Sequence, residues 1–181
     1  MIFPIIIAAA LLTGNEFSIQ RLPIIYPPNF TIQSTDGSKG SVSRRLLSLS
    51  SAFDLYDEEG NGLAYSSADL FSWSLLVDIK DQNGNYVGKI EEDFWRVHNW
   101  PKYNLYNCDG EQIAIAVMDP LEIGFSITDP NDPDRILASL IRPPFSFVGD
   151  RWELQLFDPA IDRRILMLLA AYQSNRDLKI R

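Results

Sequence analysis

The chain has 181 residues, 46% hydrophobic and 22% charged, proportions that suit one folded domain with a substantial core. A net charge of −8 and a pI near 4.6 argue against non-specific nucleic-acid binding, which relies on cations displacing counterions from phosphates, and against a general charge attraction to anionic lipid. The single cysteine, Cys108, excludes an internal disulfide.

The first residues, MIFPIIIAAALLTG, form an apolar run shorter than the ~20 residues of a membrane-spanning helix. No Lys or Arg precedes Arg21 and no clear cleavage site follows, so a retained segment is favoured over an export leader, which stays an alternative. A retained run needs a seat for Ile2, Phe3, Ile5, Ile6, Ile7, Leu11 and Leu12. The choices are the protein's own core, a membrane interface or a neighbouring subunit. Residues 15–40 are rich in turn formers (Pro23, Pro27-Pro28 and the run Ser34 to Gly40), and residues 1–39 read as an apolar segment and an extended lead-in.

Residues 40–181 read as one domain of repeated hairpins. Phe53 to Tyr56 alternates and is followed by the turn Asp57-Glu58-Glu59-Gly60-Asn61-Gly62. Leu75 to Lys80 leads into Asp81-Gln82-Asn83-Gly84-Asn85, and Tyr103 to Tyr106 leads into Asn107-Cys108-Asp109-Gly110-Glu111. Phe125 to Thr128 and Ile136 to Ile141 flank residues 129–134, and Trp152 to Phe157 alternates into the final segment. Asp, Asn and Gly at these turns supply the positive φ that tight hairpins need. Some ten to twelve antiparallel strands result. Closing them into a barrel removes the exposed edges of so long a sheet.

The final segment, DPAIDRRILMLLAAYQSNR, predicts a helix over 159–175, with Asp158 as N-cap, Pro159 at the first helical position and Asp162 in the first turn. From Ile165 to Tyr172 it is apolar on every side, so it must be surrounded. The predicted fold is therefore a closed antiparallel β-barrel of about twelve strands around a buried hydrophobic C-terminal helix. Ile161, Ile165, Leu166, Leu168, Leu169 and Tyr172 form the centre.

The candidate chemistry is thin. The turns beginning at Asp57 and Asp81 imitate calcium loops, but the first has Ala68 at its twelfth position and the second has Tyr86 where glycine belongs, so both read as hairpin turns. Glu91-Glu92-Asp93 reads as a solvated edge, and Arg44-Arg45 and Arg163-Arg164 as solvated pairs at element ends. His98 and Cys108 lack a demonstrable third partner. Phe71, Trp73, Phe94, Trp95, Trp100, Phe145, Phe147 and Trp152 read mostly as core or barrel-rim packing. No catalytic, cofactor or metal residue is assigned.

The segments 43–67, 71–90, 102–117 and 152–172, in which strand, D-x-x-G-N turn and strand recur before a buried helix, resemble the LURP-one-related family, which belongs with the tubby C-terminal domains and phospholipid scramblases. The resemblance covers about residues 40–176 and implies a twelve-stranded barrel around a hydrophobic helix. It does not imply one activity: tubby domains bind phosphoinositides and scramblases act on membranes. The sequence shows neither a run of basic residues that would make a tubby-type pocket nor a cysteine cluster. The expectation is a non-enzymatic structural or interaction protein, an accessory subunit or protein-binding module anchored by its apolar N-terminus, in a larger assembly or on a membrane. The alternative is a membrane-associated phospholipid-binding or scramblase-like protein.

Overall fold

The computed structural model describes residues 14–23, 27–48, 51–69, 74–93, 100–121, 123–143 and 150–180, with side chains as far as Arg176. The elements are β1 (Glu16–Arg21), β2 (Asn29–Ser34), β3 (Lys39–Arg44), β4 (Phe53–Asp57), β5 (Gly62–Ala68), β6 (Leu76–Lys80), β7 (Tyr86–Glu92), β8 (Lys102–Tyr106), β9 (Gln112–Met118), β10 (Gly124–Thr128), β11 (Ile136–Ile141), β12 (Arg151–Leu156) and α1 (Arg163–Ile180). Each strand pairs antiparallel with the next, and β1 pairs with β12 to close the barrel. Residues 16–34, read from sequence as a lead-in, supply the first two strands. Phe17, Ile19, Phe30 and Ile32 are buried core residues.

Alternation builds the wall. In β12, Trp152, Leu154 and Leu156 point into the core while Glu153 and Gln155 face water, and β2 and β8 follow the same period. The inward side chains meet α1, whose residues Ile165 to Ala171 have no exposed surface; Tyr172 is 3% exposed. Ile161, just before the helix, is also buried. The chain thus forms the predicted twelve-stranded barrel around a buried helix.

The helix begins later and ends later than expected. Asp158 Oδ1 accepts the Ala160 N–H in a turn at 2.9 Å, and residues 157–162 carry the chain from the wall to the barrel axis. Asp162 is the N-cap: its Oδ1 accepts the Arg164 N–H at 3.0 Å. With 18 residues the helix runs ~27 Å, whereas strands of five to seven residues run ~17–24 Å, so its last turns reach the opposite mouth.

Because strands alternate in direction, connections fall into two sets. Residues 35–38, 58–61, 81–85, 107–111, 129–135 and 157–162 lie at one end, here the turn end. Residues 22–28, 45–52, 69–75, 93–101, 119–123 and 142–150 join strands at the other, the loop end. The helix enters at the turn end and leaves at the loop end.

The turn-end hairpins share one device. Asp57 Oδ1 accepts the N–H groups of Glu59 (2.9 Å) and Asn61 (2.8 Å), while Asn61 Nδ2 donates to Asp57 Oδ2 at 2.9 Å. Asp81 and Asn85 repeat this pattern, and Asn107 with Glu111 reproduces it with acid and amide exchanged. Gly60 and Gly84 follow at φ +85° and +82°, the positive values expected from sequence. The carboxylates read as imitation calcium ligands are thus engaged by their own turns. Burial works against the Asp57 charge, but the Asn61 amide and the N–H groups of Asn61, Glu59 and Gly60 outweigh it and hold its pKa below the usual carboxylate range.

A depressed native pKa contributes stability above the unfolded value, ~3.9, and that contribution is lost as pH falls through the native value. Asn61→Ala is expected to destabilise by ~1 kcal/mol at pH 7, and the gap from wild type to narrow below about pH 4 in urea titrations. Gly88 has a different constraint: a Cβ there would lie 2.3 Å from the Tyr106 carbonyl oxygen and 2.8 Å from Ile165 Cδ1. Gly88→Ala is expected to cost ~1–3 kcal/mol by forcing wall and helix apart, read as a fall of several degrees in Tm.

Candidate functional site

The loop-end half of the lumen is lined by aromatic rings. Phe53 sits edge-on to Tyr172 with centroids 4.9 Å apart and to Phe30 at 6.1 Å; Phe125 lies 5.7 Å from Tyr103 and 6.0 Å from Trp152. Above them the helix turns polar while remaining enclosed. Gln173, Ser174 and Asn175 are all buried, which the sequence reading missed because it stopped the enclosed face at Tyr172.

Tyr172, Gln173 and Ser174 each meet the wall. The Tyr172 hydroxyl donates to the Ser51 carbonyl at 3.0 Å and lies 3.0 Å from Ser66 Oγ, which donates to the Phe53 carbonyl at 2.6 Å. Tyr103 donates to Gln173 Oε1 at 2.8 Å, and Trp152 Nε1 donates to Ser174 Oγ at 2.7 Å. Burial drives the Tyr172 pKa well above its ordinary value against the opposing Ser66 contact, so this phenol stays neutral. The arrangement ties helix to wall at every side of the mouth.

Cationic side chains far apart in sequence converge above this layer. Arg21 shares the inward parity of Phe17 and Ile19 on β1, and Arg44 that of Val42 on β3. Arg142, one residue beyond β11, stacks over the Trp152 ring at 4.3 Å and pairs with Asp150 at 2.9 Å. Arg176 ends the described helix face and pairs with Glu92. Burial lowers the Arg176 pKa, but the Glu92 contact prevails and raises it above the ordinary value. Arg21 and Arg44 have no carboxylate partner among the described residues. Arg21 Nε is also buried without a hydrogen-bond partner. Reading Arg44-Arg45 as a solvated pair is therefore corrected in part: Arg45 pairs with buried Asp54, while Arg44 belongs to the mouth.

Around this mouth stand exposed aliphatic tips. Leu46 and Leu47, between β3 and β4, are 66% and 99% exposed; Leu121, between β9 and β10, is 77% exposed. Asp119 Oδ1 accepts the Leu121 N–H at 2.8 Å and fixes that loop. Ile123 and Ile141 flank it, both more than a third exposed. The turn end also exposes apolar side chains, Ile136 and Phe157, but it differs in charge. The six turn-end connections contain eleven carboxylates and one arginine, with Asp57 a twelfth carboxylate at the end of β4, whereas the sequence of the six loop-end connections contains five carboxylates and three arginines.

The remaining sequence candidates do not converge. Glu91 pairs with Lys89 at 2.8 Å, Glu92 with Arg176, and Asp93 with Lys102 at 3.4 Å, so the three acids serve three different cations. Cys108 is exposed at the turn end. His98, Phe71, Trp73, Phe94, Trp95, Phe145 and Phe147 lie outside the described residues, as do Ile2, Phe3, Ile5, Ile6, Ile7, Leu11 and Leu12 of the expected anchor. Trp100 packs half-buried against the core, as expected of a rim aromatic. Among the described residues no group of three or more His, Cys, Asp or Glu side chains is arranged to hold a metal, and no helix is long and apolar enough to cross a membrane.

No family model matches the chain, and no curated protein matches it. Among solved structures, the X-ray structure of a protein from Arabidopsis thaliana is similar in fold, with a TM-score of 0.57 at 13% identity over 94% of this chain and 95% of the other.

Removing the phenolic oxygen tests whether the polar layer holds the helix. Tyr172→Phe removes the hydrogen bond to the Ser51 carbonyl and the contact with Ser66, and is expected to cost ~1–2 kcal/mol, read as a drop of ~3–6 °C in Tm.

Proposed function

We propose that this protein is a non-enzymatic interaction module, an accessory subunit whose barrel is a filled scaffold and whose working surfaces are its two ends. The observation that carries this reading is the occupancy of the lumen: residues 165–172 of α1 take up the interior that a hollow barrel offers to a ligand. The strand order and the central helix support placing the chain among tubby-like barrels, with the LURP-one-related family as our reading.

The position of Gly14 supports a protein partner as the seat of the N-terminal segment. Gly14 lies at the turn end, where its carbonyl accepts from Arg163 Nη1 at 3.0 Å. Twelve carboxylates occupy that end, so a segment leaving there meets an anionic bilayer against charge repulsion. A protein partner fits the position better. The second reading, association with phospholipid, has its own support in the leucine tips and arginines of the loop end.

Deleting residues 1–13, which leaves the Gly14 contact in place, is expected to keep the Tm within a few degrees of wild type and to strip the partner from the complex in native mass spectrometry. Retention of the partner by the truncated chain would refute the anchor.

A further inference from the structure

We infer that the outer wall over β9, β10 and β11 is a self-association surface, on which a second copy of this chain packs with its barrel axis antiparallel to the first. This adds the wall to the two ends as a working surface and is independent of the N-terminal anchor.

The first observation is where apolar surface stands. Of nine large hydrophobic side chains exposed among the described residues, six fall on or beside β9 to β12: Val117, Leu121, Ile123, Ile136, Ile141 and Phe157. These strands are consecutive in the wall, so the six share one side of the barrel rather than one end. The residues between them on the outer face are small and neutral: Val117 lies across from Ser126, Ser126 from Ser139, and Thr128 stands between Ile115 and Ile136. Single exposed apolar side chains are ordinary on a protein surface, whereas a run of them bounded by polar residues marks an interaction site.

Charge supplies the second observation. β9, β10 and β11 contain no Asp, Glu, Lys or Arg, and no other three consecutive strands share this. β2 and β5 also lack charge, but each stands between strands that carry it. Charges at the border of the face are paired: Lys102 with Asp93 at 3.4 Å, Arg151 with Glu153 at 3.0 Å, and Arg135 with Asp129 and Asp158. A neutral apolar centre inside a polar rim is the makeup of a protein interface. The third argument identifies the occupant. In a two-fold contact a patch meets itself. For a chain of net charge −8 most self-contacts set like charges together, and an uncharged face is the exception. Direction follows from the poles. Parallel barrels would bring two carboxylate-rich turn ends side by side, whereas antiparallel barrels put each turn end beside the arginines of the other copy's loop end. The same arrangement lays Leu121, Ile123 and Ile141 of one copy on Ile136 and Phe157 of the other.

The full chain is sedimented in an analytical ultracentrifuge from ~1 to ~100 μM, a range that spans micromolar affinity. Wild type is expected to show a monomer–dimer equilibrium, and Val117→Glu/Ile141→Glu to raise its Kd by at least ~100-fold, because two-fold symmetry brings each new charge into the contact twice. Val117→Lys/Ile141→Lys is expected to be monomeric alone and to dimerise when mixed with the glutamate variant, a rescue that misfolding cannot produce. Both side chains are more than a third exposed, so the variants are expected to melt within a few degrees of wild type in dilute solution. Direction is read by oxidation in a Cys108→Ser background. Chains carrying Ile136→Cys and chains carrying Ile141→Cys are expected to form a disulfide with each other when mixed. Disulfides between two Ile141→Cys chains instead would overturn the antiparallel packing. A wild-type chain that stays monomeric at every concentration would overturn the proposal, including where the wall variants lose a different co-purifying protein. Deleting residues 1–13 is expected to leave the dimer intact, and a dimer lost by that deletion but kept by the wall variants would place self-association elsewhere and reject the assignment.

Discussion

Everything in this molecule depends on hiding one helix. Ile165 to Tyr172 has no polar stripe to turn toward water, and exposing those residues costs on the order of 10 kcal/mol, comparable with the entire net stability of an ordinary domain. A bundle of neighbouring helices or a sandwich would cover one or two sides. A closed wall covers all of them, and the twelve strands provide it, each paired with a neighbour on both sides. The wall in turn needs the helix, because inward residues such as Leu55, Val77, Ile90 and Leu105 line a space that would otherwise be empty or wet. Neither part is stable as drawn without the other.

With the interior filled, the two ends of the barrel differ because the topology gives them different connections. One set of connections is short and governed by Asx-type turns, so it is rich in Asp and Asn for reasons internal to each hairpin. The other set uses that device at Asp119, and its sequence carries leucines, arginines and prolines. The electrical asymmetry of the barrel is in this sense a by-product of hairpin chemistry at one pole. At the other pole Arg21 and Arg44 have no carboxylate partner among the described residues.

Much of the fold was legible from the residues. The period-two runs around Gly60, Gly84 and Gly110 marked the hairpins, and the all-apolar stretch near the C-terminus marked the lumen. The helix start was misplaced because Asp158-Pro159 and Asp162 both carry N-cap chemistry. Only the distance from wall to axis decides between them. The first two strands were missed because Pro23 and Pro27-Pro28 interrupt the apolar alternation of Phe17, Ile19, Phe30 and Ile32. The mouth was invisible for a different reason: Arg21, Arg44, Arg142 and Arg176 are scattered through the sequence, and only strand parity and closure bring them to one opening. Burial of Gln173 and Ser174 was equally hidden, since polar residues after an apolar run normally signal a return to solvent.

The closing pair of strands joins Glu16 to Gln155 and Ile19 to Trp152, and the piece that occupies the axis comes later still. Synthesis from the N-terminus therefore produces the container before its contents. Until α1 leaves the ribosome, the nascent chain holds eleven or twelve strands whose inward faces have no helix to pack on, and β1 waits for β12. Non-local closure of this kind slows folding and lengthens the time for which sticky surface is exposed. A chain interrupted before α1 has inward-facing residues such as Leu55, Val77 and Ile90 with no helix to pack on.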